Sequence, residues 1–154
     1  MSHEAVVYGV IIGATRKPGD DFFLLHPLNV EVIGSLPTDD DYPWVDRSIF
    51  ALPGDHPRGT FRRQVIHFGA SMKDDPNNLD GFINTWIDKF ESVLRQLYWM
   101  SVRLHLDRDF DGCIDYEWKA TEEARVKLLA DPPEPTSDWT REIKKSERKK
   151  LYGT

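Results

Sequence analysis

Cysteine occurs once in the 154 residues, at Cys113, so no internal disulfide framework can hold this chain together. Long apolar runs are missing too, and none approaches the roughly 20 residues a membrane-spanning helix needs. The N-terminus lacks the basic segment and apolar region of a signal peptide. These absences make the cytoplasm the expected compartment and exclude a membrane as partner. No Gly-x-Ser-x-Gly elbow, His-Glu-x-x-His pair, dinucleotide fingerprint or paired-cysteine motif is present. Gly9 to Gly13 is not a phosphate loop, because no Gly-Lys-Ser/Thr follows. The sequence therefore calls for no cofactor, and the balance leans against an enzyme.

Charge is plentiful but uneven. The formal net charge is −6, yet Arg141 to Lys150 holds six basic and two acidic residues, a local +4. The remainder, with 14 basic and 24 acidic residues, stands at −10. An acidic body argues against nucleic acid and suits a basic partner, or serves solubility alone.

The clearest periodic signal runs from Leu79 to Tyr98. Leu79, Phe82, Ile83, Trp86, Ile87, Phe90, Val93, Leu94, Leu97 and Tyr98 fall on one stripe of a 3.6-residue helix. Asp75-Pro76 or Asn78 can open it. Glu91 and Arg95 form an i,i+4 pair on the polar face. The aromatic rings are read as core packing against a sheet, the alternative being a pocket lined by Trp86 and Tyr98.

The period then changes to two. Val102, Leu104 and Leu106 alternate with Arg103, His105 and Asp107, and Ile114, Tyr116 and Trp118 with Cys113, Asp115, Glu117 and Lys119. Asp111-Gly112 supplies turn chemistry, so the segment reads as a hairpin with one greasy and one charged face. Asp107, Asp109, Asp111 and Asp115 match part of a calcium loop, but its twelfth position is Trp118 rather than a bidentate Glu. They stay weak metal candidates. His105 with its neighbouring carboxylates could hold zinc or iron, or make ordinary cross-strand pairs.

Elsewhere, Ala5 to Ile12 is a nearly continuous apolar run, which suggests a strand covered on both faces. Phe22 to Leu36 reads as a short helix from near Pro27, although Val30 and Val32 also suit a strand. Asp39, Asp40, Asp41, Tyr42 and Trp44 form an acidic, aromatic loop, either solvated or docking a partner. Arg47 to Leu52 and Thr60 to Phe68 read as two strands, the second closed by Gly69-Ala70-Ser71. His67 near Ser71 is the one pairing that suggests catalysis. Thr121 to Ala130 reads as a short helix. Residues 1–130 are expected to make a single α+β domain, and 131–154 a Pro-rich linker with a charged C-terminal helix or tail.

Certain segments carry a resemblance. They are Tyr42-Pro43-Trp44, Arg47-Ser48-x-Phe50, Gln64 to Ser71, and Trp86-x-x-Lys89-Phe90-Glu91-x-x-Leu94-Arg95-x-Leu97-Tyr98-Trp99. Over roughly Tyr8 to Trp118 the chain resembles a family of small uncharacterised bacterial proteins. Some of these look like immunity proteins of polymorphic toxin systems. The resemblance brings no catalytic motif with it.

The fold expected is α+β. A mainly antiparallel sheet carries a long amphipathic helix on one face, in the ferredoxin-like split βαβ order plus an extra hairpin strand. The function expected is a non-catalytic acidic module that binds a protein, such as a basic toxin domain. Asp39, Asp40, Asp41, Tyr42 and Trp44, with Arg103, His105 and Glu117, are the contact residues. A small-molecule or metal-binding domain is the alternative, and an enzyme of unrecognised type the third reading.

Overall fold

The apolar run at the N-terminus forms β1 (His3–Ile12), the strand on which the sheet is built. The computed structural model describes residues 3–13, 25–51, 64–74, 79–109 and 112–146, with the backbone alone at 79 and 80. After β1 come α1 (Leu25–Gly34), a 3₁₀ turn (Arg47–Ile49), β2 (Phe50–Ala51) and β3 (Val65–Asp74). Then follow α2 (Leu79–Leu94), β4 (Ser101–Arg108), β5 (Gly112–Ala120), α3 (Glu122–Leu128) and β6 (Trp139–Ser146). The fold is α+β, and the six strands lie in the order β2-β3-β1-β4-β5-β6 with every neighbouring pair antiparallel. No helix among the described residues is long and apolar enough to cross a membrane.

One face of this sheet is the core. Alternation along β1, β3, β4 and β5 sends Val7, Ile11, Ile66, Phe68, Val102, Leu104, Ile114 and Trp118 inward, where all are buried. Helix α2 lies against them through Phe82, Ile83, Trp86, Ile87 and Phe90. Phe90 sits 4.8 Å from the Phe68 ring and 5.5 Å from Trp118, and stacks on Trp86 at 5.0 Å. These rings fill the interior, and burying each contributes roughly 1.5–3 kcal/mol. Room for Phe68 comes from Gly9, where an added Cβ would stand 2.6 Å from the ring and 2.1 Å from the Arg103 carbonyl oxygen.

Strands β1 and β3 are antiparallel neighbours, with His3 opposite Asp74 and Ile12 opposite Val65. Strands β3 and β4 run parallel to one another, joined through α2 with β1 lying between them.

Local signals shifted several boundaries. Helix α2 ends at Leu94, short of Tyr98. Asn29 intervenes there: its side chain accepts from Tyr98 N at 2.8 Å and donates to Tyr98 O at 3.0 Å, tying α1 to the α2–β4 connection. The expected strand from Arg47 coils first, because Asp46 caps the 3₁₀ turn by accepting from Ser48 N at 2.9 Å. Strand β3 is not closed at Gly69-Ala70-Ser71 but pairs on to Asp74, and residues 60–63 lie outside the described residues.

The expected C-terminal helix or tail is a strand. Trp139, Arg141, Ile143 and Lys145 alternate with Thr140, Glu142 and Lys144, and β6 adds to β5 from Ala120↔Trp139 to Cys113↔Ser146. Its approach is set by buried Thr136, whose hydroxyl donates to Trp99 O at 2.7 Å and accepts from Trp99 N at 3.1 Å. Residues 147–154 lie outside the described residues.

Candidate functional site

The other face of the sheet has no covering layer among the described residues. On β1 this face presents Val6, Val10 and Ile12 half-buried and Tyr8 52% exposed. Coverage on both sides of β1 was expected from its apolar run, and only one side has it. The uncovered face forms an open groove of about 530 Å³.

Strand register arranges its lining in two rungs. One rung runs Gly69, Tyr8, His105, Asp115, Lys144 across β3, β1, β4, β5 and β6. The next runs His67, Val10, Arg103, Glu117, Glu142. Along the first rung the Tyr8 and His105 rings lie 5.0 Å apart, tilted by 43°. His105 Nδ1 is 2.6 Å from Asp115 Oδ1. A carboxylate only accepts, so the ring donates from Nδ1 and Nε2 remains for a ligand. Glu117 pairs with Lys119 at 3.2 Å. Arg103 has no ion-pair partner among the described residues, and its guanidinium offers a planar donor set to an incoming group. Behind the groove, burial raises the Tyr116 phenol above its ordinary 10.0 against the pull of Arg141 and Arg108, so it stays protonated.

The sheet thus brings Arg103, His105, Asp115 and Glu117 together, as the charged hairpin face implied. It adds Tyr8, Val10, Glu142 and Lys144. Tyr8 was legible as the one polar tip in the β1 run, whereas nothing local pointed to Glu142 and Lys144.

The acidic loop is a separate surface. It packs along β3, where Tyr42 hydroxyl donates to Lys73 O. Asp40 is not available to a partner. Its carboxylate accepts from Val45 N at 3.0 Å and from Lys89 Nζ at 3.0 Å, and the same ammonium reaches Asp41 O and Pro43 O at 2.7 and 3.1 Å. Burial alone would raise the Asp40 pKa, but the Val45 and Lys89 bonds outweigh it and hold the carboxyl below its ordinary value. Trp86 Nε1 donates to Trp44 O at 3.0 Å. What the loop exposes is Asp39, Asp41 and the edge-to-face pair of Tyr42 and Trp44, 45% and 43% exposed.

Other candidates fall apart. Ser71 Oγ donates to Glu4 Oε2 at 2.7 Å, and His67 lies two rungs from it on the same strand face. Beside Trp86 the alternative of a pocket gives way to the rings of the core, and Trp86 is 3% exposed. Among the described residues no three His, Cys, Asp or Glu side chains converge as metal ligands. Asp109 accepts from Glu4 N at 2.8 Å, Asp115 is engaged by His105, and Asp111 lies outside the described residues.

Compared with known proteins, the chain matches no family model, no curated protein and no solved structure.

Proposed function

We propose that this chain is a non-catalytic, acidic protein-binding module of the immunity type, acting in the cytoplasm. Its uncovered sheet face is the principal docking surface. The observation that carries the reading is the asymmetry of β1: its apolar residues face both ways, yet among the described residues only one side is covered. An apolar floor ringed by Arg, His and carboxylates, with an exposed tyrosine at its centre, has the composition of a protein interface. The loop residues Asp39, Asp41, Tyr42 and Trp44 form a second, pre-anchored patch. The net charge of −6 favours a basic partner, such as a toxin domain.

The test is capture by the immobilised full chain from its own cell extract, repeated with Tyr8→Ala/Arg103→Ala and with Asp39→Asn/Trp44→Ala. A basic protein should be retained by the native chain and lost on the first variant. Co-expression with the chain should then relieve that protein's toxicity. Retention unaffected by both variants would refute the docking surface, and a captured protein without toxicity would refute the immunity reading.

A second reading is favoured by the groove's volume, about 530 Å³, which lies in the range of small-ligand sites. The oriented His105–Asp115 pair would fix such a ligand. Ligand-observed NMR screening with Tyr8→Ala as control separates the two, since only a small-molecule site gives hits that the substitution abolishes.

A further inference from the structure

Strand β6 is at the edge of the sheet, with β5 its one strand neighbour among the described residues. Thr140 to Ser146 are all exposed, so no described element covers the far side. Such an edge offers a row of backbone donors and acceptors to another extended chain. Charged side chains on an edge ordinarily deter pairing. What can dock here is therefore decided by the pattern of those charges.

On the groove side of β6, Glu142 and Lys144 stand two residues apart, and neither has an ion-pair partner among the described residues. Between them Ile143 faces the helix side of the sheet and is 46% exposed, an apolar group left at an open edge. We infer that β6 is an interaction surface for a second copy of this chain, the two β6 strands pairing antiparallel about a twofold axis at Ile143.

The register follows from the residues. A twofold axis normal to the sheet keeps the helix side of one copy level with the helix side of the other. Each residue then meets one on the same face, and the strand centre must lie on a single residue. Centring on Glu142 sets that carboxylate against its own copy, and centring on Lys144 does the same with two ammonium groups. Centring on Ile143 sets isoleucine against isoleucine and places Glu142 against the partner's Lys144 twice over. Opposite charges directly across strands favour pairing and like charges oppose it. One kind of repulsion remains, Arg141 against the partner's Lys145, also twice over, and each Arg141 is already neutralised by Glu91 at 3.1 Å. Because Glu142 and Lys144 also line the groove, each copy would contribute the wall at the other's seam. The two open faces would become one continuous surface. The inference is independent of what the groove binds.

Sedimentation equilibrium on the full chain over a concentration series tests it. The native chain should show a monomer–dimer equilibrium. Glu142→Lys alone and Lys144→Glu alone each set like charges together at both positions, and should weaken self-association by at least about tenfold. Mixing the two variants in equal amounts should restore the dimer, as should both substitutions in one chain. A native chain that stays monomeric at every concentration overturns the proposal. So does a dimer indifferent to the single substitutions, or single variants whose mixture does not recover.

Discussion

Asp74 and Arg108 are joined by two hydrogen bonds of 2.8 Å, Nε to Oδ2 and Nη2 to Oδ1, inside the core. They stand at the ends of β3 and β4 and reach one another diagonally across β1, where Asp74 is opposite His3 and Arg108 opposite the fully buried Ala5. The two side chains are 0% and 2% exposed, so water compensates neither charge. Such a pair is expensive to break from one side, because the survivor stays buried without the opposite charge that offset its desolvation. Asp74→Ala or Arg108→Ala should each lower unfolding free energy by about 3–5 kcal/mol. The combined Asp74→Leu/Arg108→Met chain should lose less than either, read from urea denaturation midpoints. A double variant less stable than both singles would show that the pair contributes net stability.

Gly9 is required by close approach. A methyl group there would meet the Arg103 carbonyl at 2.1 Å, a backbone atom that cannot swing aside. Gly9→Ala should therefore destabilise by about 1–3 kcal/mol or more through overpacking, despite the better intrinsic behaviour of alanine. Thermal unfolding checks this. Gly34, with nothing within 4 Å of an added Cβ, supplies the contrasting site, where Gly34→Ala should be far milder.

Protonation of Asp40 should loosen the acidic loop. Its folded-state pKa is depressed, so the stabilisation is present above the ordinary value of 3.8 and is lost as pH falls through the lower folded value. The Val45 amide, which donates to this carboxylate, should shift in an NMR titration with a midpoint below 3.8. Asp40→Asn should abolish that titration. A midpoint above 3.8 would mean that burial outweighs the Lys89 and Val45 bonds.

Glu91 ties three elements together. It accepts from Trp118 Nε1 at 2.8 Å and from Arg141 Nη1 at 3.1 Å, joining α2 to β5 and β6. Arg95 meanwhile lies 4.8 Å over the Trp139 ring. Glu91→Ala leaves the indole N–H without its acceptor and should cost about 1–3 kcal/mol. Amide exchange in β6 should quicken more than exchange in β1. Equal effects on both strands would argue against a strap specific to the C-terminal strand.

The i,i+4 pair first read between Glu91 and Arg95 shows where local reasoning stops. Their spacing permits the contact, but Arg141, fifty residues on, takes Glu91, and Trp139 takes Arg95. Arg108 is a like case. It lies in a run of aspartates with no local sign of burial, and only the arrival of β3 beside β1 delivers the Asp74 that pairs with it in the interior.

Periodicity settles what is local: the apolar stripe of α2, the alternation of β4 and β5, the apolar character of β1. It does so because side-chain direction repeats every 3.6 residues in a helix and every two in a strand. On that basis the α+β class and the filling of the interior by Trp86 and Phe90 could be read from the chain alone. Which of β1's two apolar faces receives α2, and which is left open beside Tyr8, His105 and Asp115, could not. Nor could the pairing of β6 with β5, or the loss of Asp40 to Lys89. Those outcomes depend on which distant segments become neighbours, and adjacency in a sheet is a property of the assembled fold rather than of any window of residues.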